Sequence, residues 1–213
     1  MSQSKTPKKT TQKILDISLN LFSTYGFESV KMQDIVNKLA HFGLSKGAIY
    51  HHFKNKEDIL EAILTRYEEG ASALWDIQHS QNNGRNKIQA IILQHLEHIA
   101  KHKALIRNCS AIFSSPRAIT HRLQHNNICP ILESFIEEGN ADGSLNVAYP
   151  KPASEMLFWA IYVWLDNMFY PLSTMQYTHK MRHLRIMCEG VGLSVIDEEI
   201  SAKALQVWKE LVS

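Results

Sequence analysis

The sequence of 213 residues predicts an all-α protein, in which a small N-terminal helix-turn-helix domain is joined to a larger helical domain. Apolar residues recur at the i, i+3/i+4 spacing of amphipathic helices, and the alternation of period two that indicates strands is nearly absent. Glycines and polar clusters interrupt this pattern where helices are expected to end. The chain is also long enough to bury a sizeable core.

Four helices are predicted in the N-terminal part, and their ends carry recognisable capping residues. They run over about residues 11–25, 32–40 and 46–52, and from residue 56 onward. Gly26 follows the first helix at the position where a left-handed residue terminates a helix. Ser45 is a suitable N-cap for the short third helix, and Asn55 for the long fourth helix.

The rest of the chain is predicted to be helical after a polar, glycine-containing break at residues 79–87. Helices are expected near 86–102, 104–113, 117–139, 153–170, 178–195 and 198–212. Pro130 lies inside one of these patterns, so a kink or a restart is expected there. Residues 137–145 are typical of a helix C-terminus and turn, and residues 149–152 predict an extended lead-in to the next helix.

The net charge of +2 is unevenly distributed. Residues 1–56 contain nine lysines against three acidic residues, a net charge of +6, whereas the remainder carries −4. A cationic front on an acidic body predicts a polyanionic partner for the front alone. The alternative is a solvated surface that happens to be rich in lysine.

Membrane and secreted classes are disfavoured by the sequence. No apolar run reaches the roughly 18 residues needed to span a bilayer, and the longest candidate, residues 156–169, is interrupted by Asp166 and Asn167. No export signal is recognisable at the N-terminus. Three widely spaced cysteines suit a reducing compartment better than a disulfide framework or a zinc site. We therefore expect a cytoplasmic protein with no membrane partner.

Residues 43–60, GLSKGAIYHHFKNKEDIL, combine small, cationic and hydrogen-bonding residues just before a well-patterned helix. Two short helices joined by a glycine-bearing turn are typical of a helix-turn-helix. Gly47 and Ala48 leave the second helix almost bare, so that its backbone can approach a duplex closely. Ser45 can cap the helix and donate to a phosphate. Lys46 can neutralise a phosphate or reach guanine acceptors in the major groove.

The spacing of Ile49 and Phe53 predicts an inward face, which leaves Tyr50 and His51 outward. An alternative for Tyr50 is a core aromatic with a satisfied hydroxyl, and His52 is expected to pack or to face solvent. The predicted DNA-binding residues are Lys31, Gln33, Ser45, Lys46, Gly47, Ala48, Tyr50, His51 and Lys56.

The segments QKILDISLNLFSTYGFESVKMQDIVNKLA and GLSKGAIYHHFKNKEDILEAIL together resemble the DNA-binding domain of the tetracycline-repressor (TetR) family of bacterial regulators. The resemblance covers about residues 10–65. Its motifs are Leu21-Phe22, Tyr25-Gly26-Phe27, Asp34-Ile35, the run 44–47, Tyr50, His52-Phe53 and Lys56-Glu57. It implies an all-α homodimer with a DNA-binding domain at residues 1–56 and an effector-binding and dimerisation domain at 57–213.

One departure from the family pattern concerns the connection between the second and third helices. It is about three residues longer here, and Ala40, His41 and Phe42 look like the insertion. Either the second helix gains most of a turn or the turn bulges. Phe42 either fills space under the turn or stays exposed.

The body is expected to dimerise and to bind a small apolar or amphipathic effector. The helices near 153–170 and 178–195 are candidates for the interface, with Trp159, Tyr162 and Trp164 as contacts if they face outward. The predicted ligand-binding residues are Phe113, Phe135, Phe158, Trp159, Tyr162 and Phe169. For each of these aromatic residues, an ordinary place in the core is the alternative.

The expected function is repression from a palindromic DNA operator, bound as a homodimer and released by the effector. The alternatives are an activator or a DNA-binding protein without an effector. A thiol enzyme around Cys109 lacks any supporting motif, so no enzymatic activity is expected. The paired histidines 121/125 and 179/183, and the row 95, 98 and 102, lack a completing carboxylate or cysteine. We predict neither a metal nor a cofactor.

Overall fold

The computed structural model describes residues 7–68, 77–103, 106, 120, 128–165 and 172–212, and every regular element in these ranges is helical. The predicted all-α fold class is therefore confirmed. The described residues form two compact units, one with residues 7–68 and 120 and the other with the rest. The predicted domain boundary at residue 56 stays a prediction, since compactness does not decide which segment carries a function.

The described part of the first unit, residues 7–68, contains four helices with the predicted order and caps. These are α1 (Pro7–Tyr25), α2 (Met32–Ala40), α3 (Lys46–His52) and α4 (Lys56–Glu68). Gly26 has a φ of 81°, as expected for a left-handed terminating residue. The Ser45 hydroxyl accepts a hydrogen bond from the Ala48 amide (3.2 Å), and the Asn55 carbonyl oxygen accepts one from the Asp58 amide (2.7 Å).

The core of the first unit is built from one face of each helix. Its buried side chains include Ile14, Leu19 and Phe22 of α1, Ile35 and Leu39 of α2, Ile49 of α3, and Ile59, Leu60 and Ile63 of α4. An ion pair between Arg66 and Asp16 (2.7 Å) joins α4 to α1 on the surface. Its contribution is small because half of the Asp16 side chain is exposed to water. Apolar packing therefore holds these helices together.

The residues of the expected insertion, 40–42, lie at the end of α2, which closes in a left-handed cap. His41 keeps helical backbone angles, and Gly43 has a φ of 75°. The Leu44 amide donates to the Leu39 carbonyl (3.3 Å), and the Gly43 amide donates to the Ala40 carbonyl (2.9 Å). This pair of bonds is a Schellman motif, with Leu44 buried as its usual hydrophobic partner. The insertion thus extends the end of α2 instead of forming a bulge.

The second unit contains five described helices. They are α5 (Gly84–Lys101), α6 (Cys129–Asp142), α7 (Pro150–Trp159, continued by a π-helical turn at Ala160–Trp164), α8 (Thr174–Gly190) and α9 (Glu198–Val212). Helix α6 packs against α5 and α7, and α9 packs against α5 and α8. Within the described ranges, no helix is both long and apolar enough to span a bilayer. The helix predicted at 104–113 lies outside the described residues, apart from residue 106.

The helix predicted near 178–195 lies earlier, at Thr174–Gly190. Two further predicted boundaries in this unit differ from the structure, and both depend on residues that favour helix starts. The break at 79–87 is shorter than predicted because Asn83 caps α5 through the Asn86 amide (2.8 Å). The extended lead-in at 149–152 is absent because Pro150 occupies the first turn of α7, where a missing N–H costs nothing. Pro130, where a kink or a restart is predicted, lies in the first turn of α6, which begins at Cys129.

Helices α5 and α6 approach each other closely at Gly84. A Cβ atom at this position would lie 2.2 Å from both the Gly139 nitrogen and the Phe135 carbonyl oxygen. The Gly84 amide donates to the Asp142 carboxylate (2.9 Å), and Lys87 pairs with Glu138 (2.6 Å) across the same crossing. Hydrogen bonds from Ser144 and Gly84 lower the pKa of the Asp142 carboxyl group. Gly84 therefore sets the distance between two helices of the core.

We expect Gly84→Ala to destabilise the protein by roughly 1–3 kcal/mol, because the added methyl group meets backbone atoms that cannot move aside. In an open helical position the same change is stabilising by up to ~1 kcal/mol. Gly47→Ala, measured without DNA, is the matched control, since Gly47 is a helical glycine at which a Cβ would meet nothing within 4 Å. Chemical denaturation of both variants measures the difference. Equal stability of the two variants would contradict the close crossing.

Candidate nucleic-acid interface

Helix α3 is held by two side chains and leaves its other side open. Ile49 is fully buried and Phe53, which follows the helix, is buried as well, so the predicted inward face is confirmed. The half-buried His52 lies with Nδ1 3.2 Å from the Thr11 hydroxyl of α1, which places it in a packing role. A helix of seven residues has little stability of its own. These contacts therefore fix which side of α3 faces solvent.

The outward side of α3 carries the predicted contact residues. Ser45, Lys46, Gly47 and His51 are exposed, Ala48 is half-buried, and Tyr50 is 40 % exposed. The Lys46 ammonium lies 5.8 Å from the centre of the Tyr50 ring, so the two side chains share one surface. The core alternative for Tyr50 is excluded by its exposure. A Cβ at Gly47 would meet nothing within 4 Å, and this part of α3 is nearly bare.

The charge at the start of α3 is unfavourable for the helix itself. Lys46 is the first helical residue, and no acidic residue lies in the first turn. A cation at this end opposes the helix dipole, at a typical cost of about 0.3–1 kcal/mol. An anion bound beside Lys46 would offset that cost, as a phosphate of DNA does.

Two further predicted residues lie at the start of α2. The Lys31 amide donates to the Asp34 carboxylate (2.8 Å), which caps the helix and leaves the lysine side chain exposed. Gln33 is exposed and donates to the Asn37 side chain (2.7 Å). Both side chains are therefore available to a partner at the N-terminal end of α2.

Lys56 has a different environment from the other predicted residues. Its ammonium donates to the carbonyl oxygens of Phe27 (2.7 Å) and Glu28 (3.2 Å) and lies 4.5 Å from the centre of the Phe27 ring. The lysine thereby ties the start of α4 to the connection between α1 and α2. A contact to DNA from Lys56 stays a prediction, with part of its donor capacity already used.

The structure also draws attention to Lys13, which sequence reasoning did not single out. The Lys13 ammonium of α1 lies 4.6 Å from the centre of the Phe42 ring in the extended turn. Phe42 is 44 % exposed, which answers the question of whether it fills space beneath the turn. No local pattern signals this pair, because the two residues are 29 positions apart.

The predicted ligand-binding residues are placed differently from one another. Phe135 and Phe158 are buried in the core, and Trp159 is 46 % exposed. Tyr162 is half-buried, with its ring stacked on Phe158 (5.0 Å) and 4.2 Å from the ring of His95. Phe113 and Phe169 lie outside the described residues. The structure thus brings Phe158 and Tyr162 together at the π-helical turn after α7.

Metal and thiol chemistry find little support in the described residues. Within those ranges no group of three or more His, Cys, Asp or Glu side chains is placed to hold a metal ion. Burial raises the pKa of the Cys188 thiol to about 12, so it is protonated at neutral pH. Burial also raises the pKa of the Cys129 thiol. Cys109 lies outside the described residues.

Comparison with known proteins shows which family the N-terminal helices resemble. The model of bacterial regulatory proteins of the tetR family matches residues 14–63, which run from α1 into α4. The chain is 29 % identical over 92 residues to the TetC protein of transposon Tn10 from Escherichia coli. It is 41 % identical over 56 residues to the transcriptional regulator AcrR of Shigella flexneri. It is 24 % identical over 143 residues to the transcriptional repressor KstR2 of Mycobacterium tuberculosis.

These alignments span different shares of the proteins. The match to TetC covers 43 % of this chain and 45 % of TetC, and the match to AcrR covers 26 % and 25 %. The match to KstR2 covers 63 % and 70 %. The chain therefore spans less than half the length of TetC and of AcrR in these alignments.

Solved structures share the fold over nearly the whole chain. A TetR/AcrR-family regulator from Thermobifida fusca has a TM-score of 0.58 at 23 % identity, with 92 % of this chain and 96 % of that chain covered. A γ-butyrolactone receptor described as ArpA-like has a TM-score of 0.61 at 16 % identity, with 96 % and 98 % covered. At these identities the likeness establishes the fold.

We expect Gly47→Leu to lower the affinity for duplex DNA at least tenfold while the protein stays folded. The fold should tolerate the substitution because a Cβ atom at Gly47 would meet nothing within 4 Å. A duplex lying close to this surface would clash with the leucine side chain. Gly47→Ala is the control, with a much smaller loss. Circular dichroism checks the fold and fluorescence anisotropy with labelled DNA gives the affinity. Unchanged binding by the leucine variant would mean that this surface never nears the duplex.

Proposed function

We propose that the chain is a cytoplasmic repressor of the tetR family of bacterial regulatory proteins, whose model matches residues 14–63, and that it binds a palindromic DNA operator as a homodimer and is released by a small effector. The observation that carries this proposal is the exposed, nearly bare and cationic side of α3, held outward by Ile49 and Phe53. The matched relatives AcrR and KstR2 are named as a transcriptional regulator and a transcriptional repressor, which supports the same class.

In this proposal α3 enters the major groove, which is about 12 Å wide and admits a helix. Lys46 reaches a phosphate or the acceptors of guanine, and Gly47 and Ala48 allow close approach. Tyr50 and His51 donate to phosphates that border the groove. Lys31 and Gln33 meet the backbone from the start of α2. So few contacts from one short helix give weak selectivity, and two half-sites one or more helical turns apart, ~34–36 Å per turn, provide the rest.

Dimerisation is assigned to α7 and α8, which leave large apolar side chains in water. Trp159 of α7 is 46 % exposed, and Ile186 of α8 is 64 % exposed. On α8 the exposed residues Met175, His179, Arg182, Ile186 and Gly190 recur at helical spacing and form one stripe. An isologous interface places the same stripe of two copies against each other. Burial of these side chains would remove an unfavourable contact with water.

The effector is proposed to bind in the second unit, near the aromatic side chains of Phe158 and Tyr162. Solved fold neighbours are named as a γ-butyrolactone receptor and a ketosteroid transcriptional regulator, which supports a small, largely apolar effector here as well. The effector must favour a state with weaker operator affinity in order to release DNA. A coupling free energy of about 1–3 kcal/mol corresponds to a change in affinity of about 5–150-fold.

The experiment that tests this function is selection of bound fragments from the host genome by the purified protein. We expect a few fragments that share a two-fold symmetric sequence, and the genes beside them indicate the chemical class of the effector. Fragments recovered without enrichment over bulk DNA would contradict operator recognition. Compounds chosen from those genes then test release, and failure of every compound would contradict the effector.

We expect Lys46→Ala to weaken operator binding and to reduce the dependence of log K on log salt by about 0.9 for each half-site, if Lys46 neutralises one phosphate. Lys38→Ala is the control, since Lys38 is an exposed lysine of α2 outside the proposed contacts. Titrations at several salt concentrations measure both slopes. A parental slope in the Lys46 variant would remove it from the phosphate contacts.

We expect Ile186→Glu to shift the protein toward a monomer, since two carboxylates would be buried at a symmetric interface. Val212→Glu is the matched control, because Val212 of α9 is also exposed (45 %) and lies outside the proposed interface. Analytical ultracentrifugation over a range of concentrations gives the dimer dissociation constant. An equal dissociation constant for parent and Ile186 variant would place the interface elsewhere.

A further inference from the structure

Phe42 occupies an unusual place for a large apolar residue. It lies in the insertion between α2 and α3, is 44 % exposed, and has the Lys13 ammonium 4.6 Å from the centre of its ring. The Schellman cap buries Leu44 and leaves Phe42 on the surface, so core packing does not account for the aromatic ring. Phe42 therefore presents an apolar ring to the solvent, with the half-buried Lys13 of α1 beside it.

The pair lies beside the start of α3. Two residues lie between Phe42 and Ser45, so their Cα atoms, three steps apart along the chain, are at most ~10–11 Å from each other. The beginning of α1 is also held next to α3, since the Thr11 hydroxyl lies 3.2 Å from Nδ1 of His52. The major groove is about 12 Å wide and is bordered by phosphates. If α3 lies in the groove, a residue within ~10–11 Å of its N-terminus is close enough to meet the flanking DNA backbone.

We propose that the Lys13–Phe42 pair is an additional DNA contact, in which the Lys13 ammonium binds a backbone phosphate beside the half-site and the Phe42 ring holds that ammonium in place. This inference rests on the proposed DNA-binding function. The occupant is the sugar-phosphate backbone of duplex DNA, because Phe42 is three positions before the exposed Ser45 and the Lys13 ammonium carries the complementary charge. An apolar ring beside the cation also suits the deoxyribose face.

A purely structural role makes a different forecast. A cation–π contact at an exposed site typically contributes about twofold to fivefold to an equilibrium. If the pair only fastened α1 to the extended turn, its removal would lower protein stability and leave the salt dependence of DNA binding intact. A phosphate contact by Lys13 has the opposite signature, since it releases a counterion on binding. The salt slope therefore separates the two roles.

The test is a double-mutant cycle with Lys13→Met, Phe42→Ala and the double variant, measured on nonspecific duplex DNA and on a selected operator. For each half-site, Lys13→Met is expected to reduce the slope of log K against log salt by about 0.9. It should also lower affinity by about eightfold to tenfold for each half-site near 0.1 M salt. Phe42→Ala is expected to lower affinity about twofold to fivefold in the parent. In the Lys13→Met background it should have no further effect, because the residues act through one contact.

Lys38→Met provides the control for loss of an exposed lysine from the same unit, and its slope should equal the parental slope. An unchanged slope in Lys13→Met, with normal DNA binding by the parent, would overturn this inference alone. Additive losses in the double variant would show that Phe42 does not act through Lys13, which also overturns it. A parent protein that binds no duplex at low salt would instead contradict the proposed function.

Discussion

Burial of Ile49 and Phe53 is the constraint on which the candidate interface depends. Helix α3 has seven residues and cannot maintain its structure without packing, so these two anchors decide both its existence and its orientation. Once they face the core, the remaining side of α3 must face water, whatever its composition. That side is nearly bare and carries Lys46 where the helix dipole disfavours a cation. A surface of this kind stabilises the protein little and suits an anionic partner.

The end of α2 shows how an insertion is absorbed without disturbing α3. The added residues extend the helical backbone, and Gly43 supplies the left-handed conformation that closes it. Leu44 then returns to the core, so Ser45 can cap α3 as it would after a shorter connection. The new surface created in this way is the Phe42 ring with Lys13 against it. The connection between α2 and α3 therefore places the exposed Phe42 ring three positions before Ser45, the N-cap of α3.

The second unit combines a close contact between α5 and α6 with exposed apolar side chains on α7 and α8. Gly84 allows the backbones of α5 and α6 to come into contact, and the buried Lys87 forms an ion pair with Glu138 across the same crossing. In contrast, α7 and α8 expose Trp159 and Ile186 to water. These large apolar side chains lie on the helices to which dimerisation is assigned in the proposed function. The π-helical turn after α7 gathers Phe158 and Tyr162, where an effector is proposed to act.

Local chemistry determined much of this protein from its sequence alone. The helices of the first unit, the caps Ser45 and Asn55, and the terminating Gly26 follow from residues within a few positions of one another, so a pattern can reveal them. The misplaced starts of α5 and α7 were also local, and the preference of Asn83 and Pro150 for helix starts explains both.

Contacts between distant segments were decided only by the tertiary structure. The position of Lys56 just after α3 predicts a contact to DNA. In the folded protein, the carbonyl oxygens of Phe27 and Glu28 accept hydrogen bonds from its ammonium. Lys13 meets Phe42 only because α1 packs beside the extended turn. Such pairs leave no periodic signal, since their energies depend on distances in space and not on separation along the chain.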